Sequence, residues 1–134
     1  MEILGHGIDV VDVARIARLL RRDDDFLYGW FTSREIDALG TRAADSQVVA
    51  GRVAAKEAAA KALGTGFAGD VSWQDVEVVP SDNGAPTIIL SKGALAVARK
   101  AGVTALFASI SHERTYAIAS VIAAGTRPTP SQGT

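Results

Sequence analysis

The apolar positions change period several times along the chain, and each change marks an element. Ile3 to Val11 is rich in isoleucine and valine and interrupted by Gly5 and Gly7, which predicts a strand whose backbone lies close against another element. From about Val10 to Arg22 the spacing turns helical. Val13, Ile16, Ala17 and Leu20 share one face, and Arg15, Arg18 and Arg22 project from the opposite one. The acidic run Asp23 to Asp25 is disfavoured at a helix C-terminus and stops this helix near Arg22. Thr32-Ser33-Arg34-Glu35 has capping-box spacing and starts a short helix ending at Gly40. Polar residues follow to Ser46, after which VVAGRVAAKEAAAKALG reads as one long helix ended by Gly64. Val76 to Val79, a turn at Asp82-Asn83-Gly84 and Thr87 to Leu90 form a hairpin. Ser91 to Ala101 has helical spacing and ends before Gly102. Leu106 to Ser111 and Tyr116 to Ala123 are strand-like, and the second, apolar on both faces, suits the centre of a sheet. Residues 125–134 are rich in Pro, Thr and Ser and predict a disordered tail. The expected fold is a single α+β domain over residues 1–124, an antiparallel sheet packed on a long central helix.

Composition narrows the function. A chain of 134 residues favours one domain with a real core. The absence of cysteine excludes disulfides, thiolate metal sites and a cysteine nucleophile, and fits a reducing compartment. With 14 basic and 15 acidic residues the formal charge is −1, so no overall field draws the protein to nucleic acid or an anionic membrane. Any polyanion must be met by a local patch. The start MEILGHGIDVVDV has neither a basic n-region nor a small-residue cleavage site, and no apolar run approaches 18 residues, so the expectation is a soluble, cytoplasmic protein. An alanine-rich apolar surplus hints at a subunit interface.

Several chemical patterns carry no mechanism. Gly64-Thr65-Gly66-Phe67-Ala68-Gly69 fits G-x-G-x-x-G but follows a helix, where dinucleotide binding needs a preceding strand. Ser81-Asp82-Asn83 lacks the S-x-x-K and K-T-G boxes of a β-lactamase and suits a turn. Ser111 and His112 are neighbours in an extended segment, so their side chains point to opposite faces. Glu57 and Lys61 carry more. As an i, i+4 surface pair they would stabilise the helix by about 0.2–0.5 kcal/mol. Their helix, however, is apolar on two sides and hence largely buried, and a buried carboxylate needs a cation to stay charged. With Asp9 at a strand end, Glu57 could complete a pair of hard oxygen ligands for Mg²⁺ or Mn²⁺, with phosphate and water filling the octahedron and Lys61 facing the same phosphate. Taken singly, His6 and His112 read as structural histidines, and the arginines of the first helix as a solvated face or a dock for an acidic partner.

The segments GHGIDVVDVARI, FTSREI, GRVAAKEAAAKALGTG, WQDVEV, NGAPTI and SISHERTYAIASVI, in this order and spacing, resemble the holo-acyl-carrier-protein synthase type of 4′-phosphopantetheinyl transferase over residues 1 to about 124. The resemblance implies transfer of 4′-phosphopantetheine from coenzyme A to a serine of an apo acyl carrier protein, with adenosine 3′,5′-bisphosphate released and Mg²⁺ required. It also implies a homotrimer with active sites between subunits. Carried over by position, Asp9 and Glu57 match the metal ligands and Lys61 the lysine beside the pyrophosphate. Arg15, with Arg18 and Arg22 on the same face, matches the surface that meets the carrier's acidic helix. Arg52, Gly64, Asn83, Gly84, Pro86 and His112 fall where the family touches coenzyme A. Two residues depart from the pattern: Val53 replaces an aromatic after Arg52, and His6 replaces an apolar residue between the glycines. A metal-activated water, Glu57 acting through it, or His112 could take the serine proton. A catalytically silent coenzyme A binding subunit would keep the same fold, and intact Asp9, Glu57 and Lys61 argue against it.

Overall fold

Asp12 decides where the first strand gives way to the first helix. In the computed structural model, which describes residues 1–129, β1 (Glu2–Asp12) keeps its ladder through Val10, Val11 and Asp12, opposite Ile118, Ala117 and Tyr116. The Asp12 carboxylate then accepts a 2.9 Å hydrogen bond from the Ala14 amide and caps α1 (Val13–Arg22). The helix therefore starts three residues later than its apolar spacing suggests, because the cap and the strand ladder compete for the same residues and both are satisfied at Asp12. After α2 (Phe26–Trp30), the expected capping box opens α3 (Ser33–Leu39), and a 3₁₀ turn (Gly40–Ala44) leads into α4 (Ser46–Ala62). A second 3₁₀ turn (Trp73–Asp75) precedes the hairpin of β2 (Val76–Pro80) and β3 (Pro86–Leu90), then α5 (Lys92–Ala101), β4 (Val103–His112) and β5 (Tyr116–Gly125).

The strands form two antiparallel sheets, β1-β5-β4 and the separate β2-β3 hairpin. β5 is central, as its two-sided apolar pattern requires, with Ala117, Ala119, Val121 and Ala123 fully buried against α4. The two β1 glycines allow the closest approach. A Cβ at Gly7 would collide with the carbonyl of Ala58, and one at Gly5 with that of Ala62, so α4 lies directly on the strand. Ala50, Ala54, Ala58 and Ala59 are wholly buried on α4, where small side chains let sheet and helix backbones meet.

The opposite face of the three-stranded sheet stays open. Ile8 and Val10 of β1, Tyr116 and Ile118 of β5, and Phe107 of β4 are exposed there, 42–57% accessible. This contiguous apolar surface is larger than isolated exposed residues would make. On the same face the His6 Nε2 lies 2.9 Å from the Ser120 hydroxyl, so the departure at His6 sits on the outer surface and leaves the core undisturbed. β5 runs to Gly125, the Thr126 amide bonds the Gly102 carbonyl, and Arg127 pairs with Glu2. Of the segment expected to be disordered, residues 130–134 lie outside the described residues. Among the described residues no helix is long and apolar enough to cross a membrane.

Candidate functional site

Strand alternation and helix pitch bring three of the expected residues together. On β1, Asp9 shares the α4-facing side with Gly5, Gly7 and Val11, while Ile8 and Val10 turn outward. On α4, Glu57 and Lys61 are one turn apart and separated by about 40° around the axis. The Lys61 ammonium reaches across to β1, donating to the Ile8 carbonyl at 3.0 Å and to Asp9 Oδ1 at 3.2 Å. Burial, and behind it the neighbouring Asp9 carboxylate, push the Glu57 carboxyl above its ordinary range, while Lys61 and Arg15 pull it back. Two like charges held close and only partly relieved form a donor set that a divalent cation suits. Among the described residues no group of three His, Cys, Asp or Glu converges, so the remaining ligands of such an ion would be phosphate and water oxygens, as Mg²⁺ prefers.

The raised Glu57 value has a consequence for stability. A carboxyl with a higher pKa folded than unfolded loses stability as pH rises from the ordinary glutamate range through the raised value, and the loss is complete above it. Glu57→Gln removes that loss. In urea denaturation across the acid range, the stability of the variant relative to wild type is expected to increase as pH rises through this window. A difference constant with pH would contradict the assignment.

A second group lies on the other side of α4. Arg52 is about 140° from Glu57 and about 180° from Lys61 around the helix. It lines a shallow pocket of about 190 Å³ with Arg42, Val48, Gly84, Pro86, Ile110 and His112. Burial, and then the like charge of Arg42, lower the Arg52 guanidinium below its usual value, with Glu35 offsetting part of the shift. An anion between the two guanidiniums would relieve their repulsion. His112 meets Gln47 Oε1 through Nδ1 at 3.1 Å, which leaves Nε2 as the nitrogen available to a ligand. The pocket is smaller than the roughly 300–1,000 Å³ of sites that enclose a whole small-molecule ligand, so it suits one phosphate-bearing end.

The structure thus divides the expected residues in two. Asp9, Glu57 and Lys61 form one cluster, joined by Arg15, whose charge Glu57 feels. Arg52, Gly84, Pro86 and His112 form the other. Asn83 stands apart: its Oδ1 accepts from the Ser81 hydroxyl and the Ala85 amide, at 2.6 and 3.0 Å, so it shapes the hairpin turn beside the pocket. Gly64 ends α4 with a positive φ of 83°. Arg18 and Arg22 are exposed on α1, opposite buried Val13 and Ile16.

Two features were not read from the sequence. Arg42, in the 3₁₀ turn, is a pocket residue with no motif around it, and its guanidinium bonds the Ala38 and Leu39 carbonyls that end α3. Lys56, beside Glu57, is wholly buried. It donates to Glu35 Oε1 at 2.7 Å and to the Val76 carbonyl, with its ammonium 5.0 Å from the centre of the Phe31 ring. Glu35 also accepts from the Thr32 and Val78 amides, both at 3.0 Å, so one buried ion pair ties α3, α4 and β2 together. Burial pulls the Lys56 ammonium below its ordinary value, and the Glu35 carboxylate works against that shift.

Known proteins resemble this chain in sequence and fold over most of its length. The family model of the 4′-phosphopantetheinyl transferase superfamily matches residues 5–121. A holo-[acyl-carrier-protein] synthase of Koribacter versatilis is 45% identical over 121 residues, 90% of this chain and 97% of the relative. The crystal structure of the Neisseria meningitidis holo-[acyl-carrier-protein] synthase superposes with a TM-score of 0.82 at 30% identity, covering 92% of this chain and 99% of that one. The Helicobacter pylori synthase in complex with coenzyme A gives a TM-score of 0.77 at 35% identity, over 89% of this chain and 99% of that chain.

Proposed function

Given that the chain belongs to the 4′-phosphopantetheinyl transferase superfamily, and is a transferase enzyme of the holo-[acyl-carrier-protein] synthase type, we propose that it moves 4′-phosphopantetheine from coenzyme A to a serine of an apo acyl carrier protein. Adenosine 3′,5′-bisphosphate is the product that leaves. The observation that carries the reading is the convergence of Asp9, Glu57 and Lys61 between β1 and α4. Asp9 and Glu57 would hold Mg²⁺, or Mn²⁺ in its place. When bound, the ion supplies Lewis-acid stabilisation of charge on the pyrophosphate oxygens. Lys61 brings a second positive charge to the same place, worth more as charge builds at the β-phosphate than before attack. Arg42, Arg52 and His112 give the nucleotide end of coenzyme A its phosphate contacts.

Two clusters on opposite sides of one helix suit a site completed by a second copy, with the acid and lysine cluster of one chain facing the arginine pocket of the next. The open apolar sheet face provides the surface for self-association, and the assembly proposed is a homotrimer, located in the cytoplasm. Co-expression of the inactive variants Glu57→Gln and Arg52→Ala tests this. Random assembly restores about one site in four, because such a site draws Glu57 from one chain and Arg52 from its neighbour. Mixed assemblies with no activity above either parent would contradict the shared site.

Carrier recognition is expected on the exposed arginines of α1. Arg15 also serves the acid cluster, so Arg18→Glu with Arg22→Glu isolates docking. This double variant is expected to raise the KM for carrier about tenfold at low ionic strength, with a weaker salt dependence and an unchanged KM for coenzyme A. An unaltered carrier KM in steady-state kinetics would return this face to a solvated helix back.

A further inference from the structure

The loop from Gly64 to Gly69 leaves α4 one turn beyond Lys61 and contains three glycines with positive φ, at Gly64, Gly66 and Gly69. Such a segment has little conformational preference of its own and must be held from outside. Its first residues are held: the amides of Thr65 and Gly66 both bond the Ala60 carbonyl at 3.2 Å. Its end is held too, since the carbonyl of Asp70 packs onto Gly93 at the start of α5, where a Cβ would collide with it. Between them the anchor is the ring of Phe67. Phe67 stacks on Trp73 at 4.0 Å and 19°, and the far face of Trp73 stacks on Trp30 at 4.1 Å and 17°. This three-ring stack is itself fixed. Phe26 meets Trp30 edge-on at 4.9 Å, and the Gln74 amide donates to the carbonyls of Tyr28 at 2.7 Å and Phe31 at 3.3 Å. The stack therefore joins α2 to the loop beside the lysine. Among the described residues, the amides of Phe67, Ala68, Gly69 and Asp70 donate to no protein acceptor, so the loop that follows Lys61 in the chain keeps N–H groups free for an anionic ligand.

We propose that Phe67 is a positioning residue for coenzyme A: its stack on Trp73 holds the glycine loop in the shape that receives the pyrophosphate end of the co-substrate. The inference rests on the transferase reading above. It requires that loosening Phe67 weaken coenzyme A binding without touching the carrier surface or the charged cluster.

The test compares the intact wild-type protein with Phe67→Ala and Phe67→Tyr. Phe67→Ala is expected to raise the KM for coenzyme A up to about tenfold, with kcat and the KM for carrier close to wild type, and Phe67→Tyr to restore it. Because Trp73 forms the middle of the stack, titration of coenzyme A followed by tryptophan emission gives a dissociation constant independent of turnover, expected to rise by the same factor. A coenzyme A KM and dissociation constant unchanged in Phe67→Ala would overturn the proposal. So would a loss of kcat that tracks a fall in melting temperature, the mark of a merely structural ring. If the wild-type protein modifies no carrier, the transferase reading fails, while the emission titration still decides the role of Phe67.

Discussion

Glu57→Gln is expected to lower turnover by about 10²–10³-fold while the protein stays as well folded as wild type. Glutamine keeps the length and shape of the side chain and the helix propensity of the position, so α4 is undisturbed. What is lost is one of the two negative charges on which the proposed divalent-cation site depends. Asp9 is then left paired with Lys61 alone. Losing charge stabilisation of several kcal/mol at the reacting phosphate accounts for the size of the effect, at roughly 1.4 kcal/mol per factor of ten. Single-turnover rates with saturating coenzyme A and thermal melting of the same preparation separate the two outcomes. A variant that turns over normally but melts early would mean that Glu57 serves only as a helix-surface ion pair. Removal of divalent metal by chelator should abolish wild-type transfer and add little to the defect of the variant.

Lys56→Met should be strongly destabilising. Methionine fills nearly the same volume, but it strips the Glu35 carboxylate, 1% exposed, of the ammonium that pairs with it and leaves only the longer-range charge of Arg52. Breaking a buried pair in this way costs about 3–5 kcal/mol, which for a domain of this size lowers Tm by roughly 10–20 °C. Pairing it with Glu35→Leu should recover part of that loss, because the stranded charge disappears. Recovery stays incomplete, since the Thr32 and Val78 amides that Glu35 satisfies then have no acceptor. Calorimetry on the two single variants and the double variant gives the coupling directly. A Lys56→Met protein as stable as wild type would mean that the ion pair holds nothing together.

Much of this arrangement was legible in the residues. Gly5 and Gly7 announced a close approach and meet α4; β5, apolar on both faces, is the central strand; Thr32 and Glu35 make the capping box they spell. Strand alternation gives the face of Asp9 and helix pitch that of Glu57 and Lys61, two local periodicities, while the meeting of those faces was implied by the family resemblance and not by spacing. Lys56 escaped for the converse reason. On a helix with alanine on every side there is almost no contrast between faces, and a lysine reads as exposed unless its partner is known. That partner, Glu35, lies 21 residues away, in a capping box that by itself accounts for an acid at this position. The five-residue α2 is too short to show a period, and tertiary contacts hold it: Trp30 stacked on Trp73 and the Gln74 amide on the Tyr28 carbonyl. Arg42 became a pocket residue only when the 3₁₀ turn brought it over Arg52, a placement no linear spacing records. The division of the site between two sides of α4 was likewise implicit in the angle between Arg52 and Lys61, but its meaning depends on which elements pack against each side.

The most direct measurement is mass spectrometry of an apo acyl carrier protein after incubation with the purified protein, coenzyme A and Mg²⁺, with a serine-to-alanine carrier alongside. The account predicts that the carrier gains the mass of one phosphopantetheine group on that serine, that adenosine 3′,5′-bisphosphate appears in equal amount, and that the alanine carrier is unchanged. Binding of coenzyme A with no mass gain on any of several apo carriers would contradict it, leaving a coenzyme A binding subunit without transfer activity.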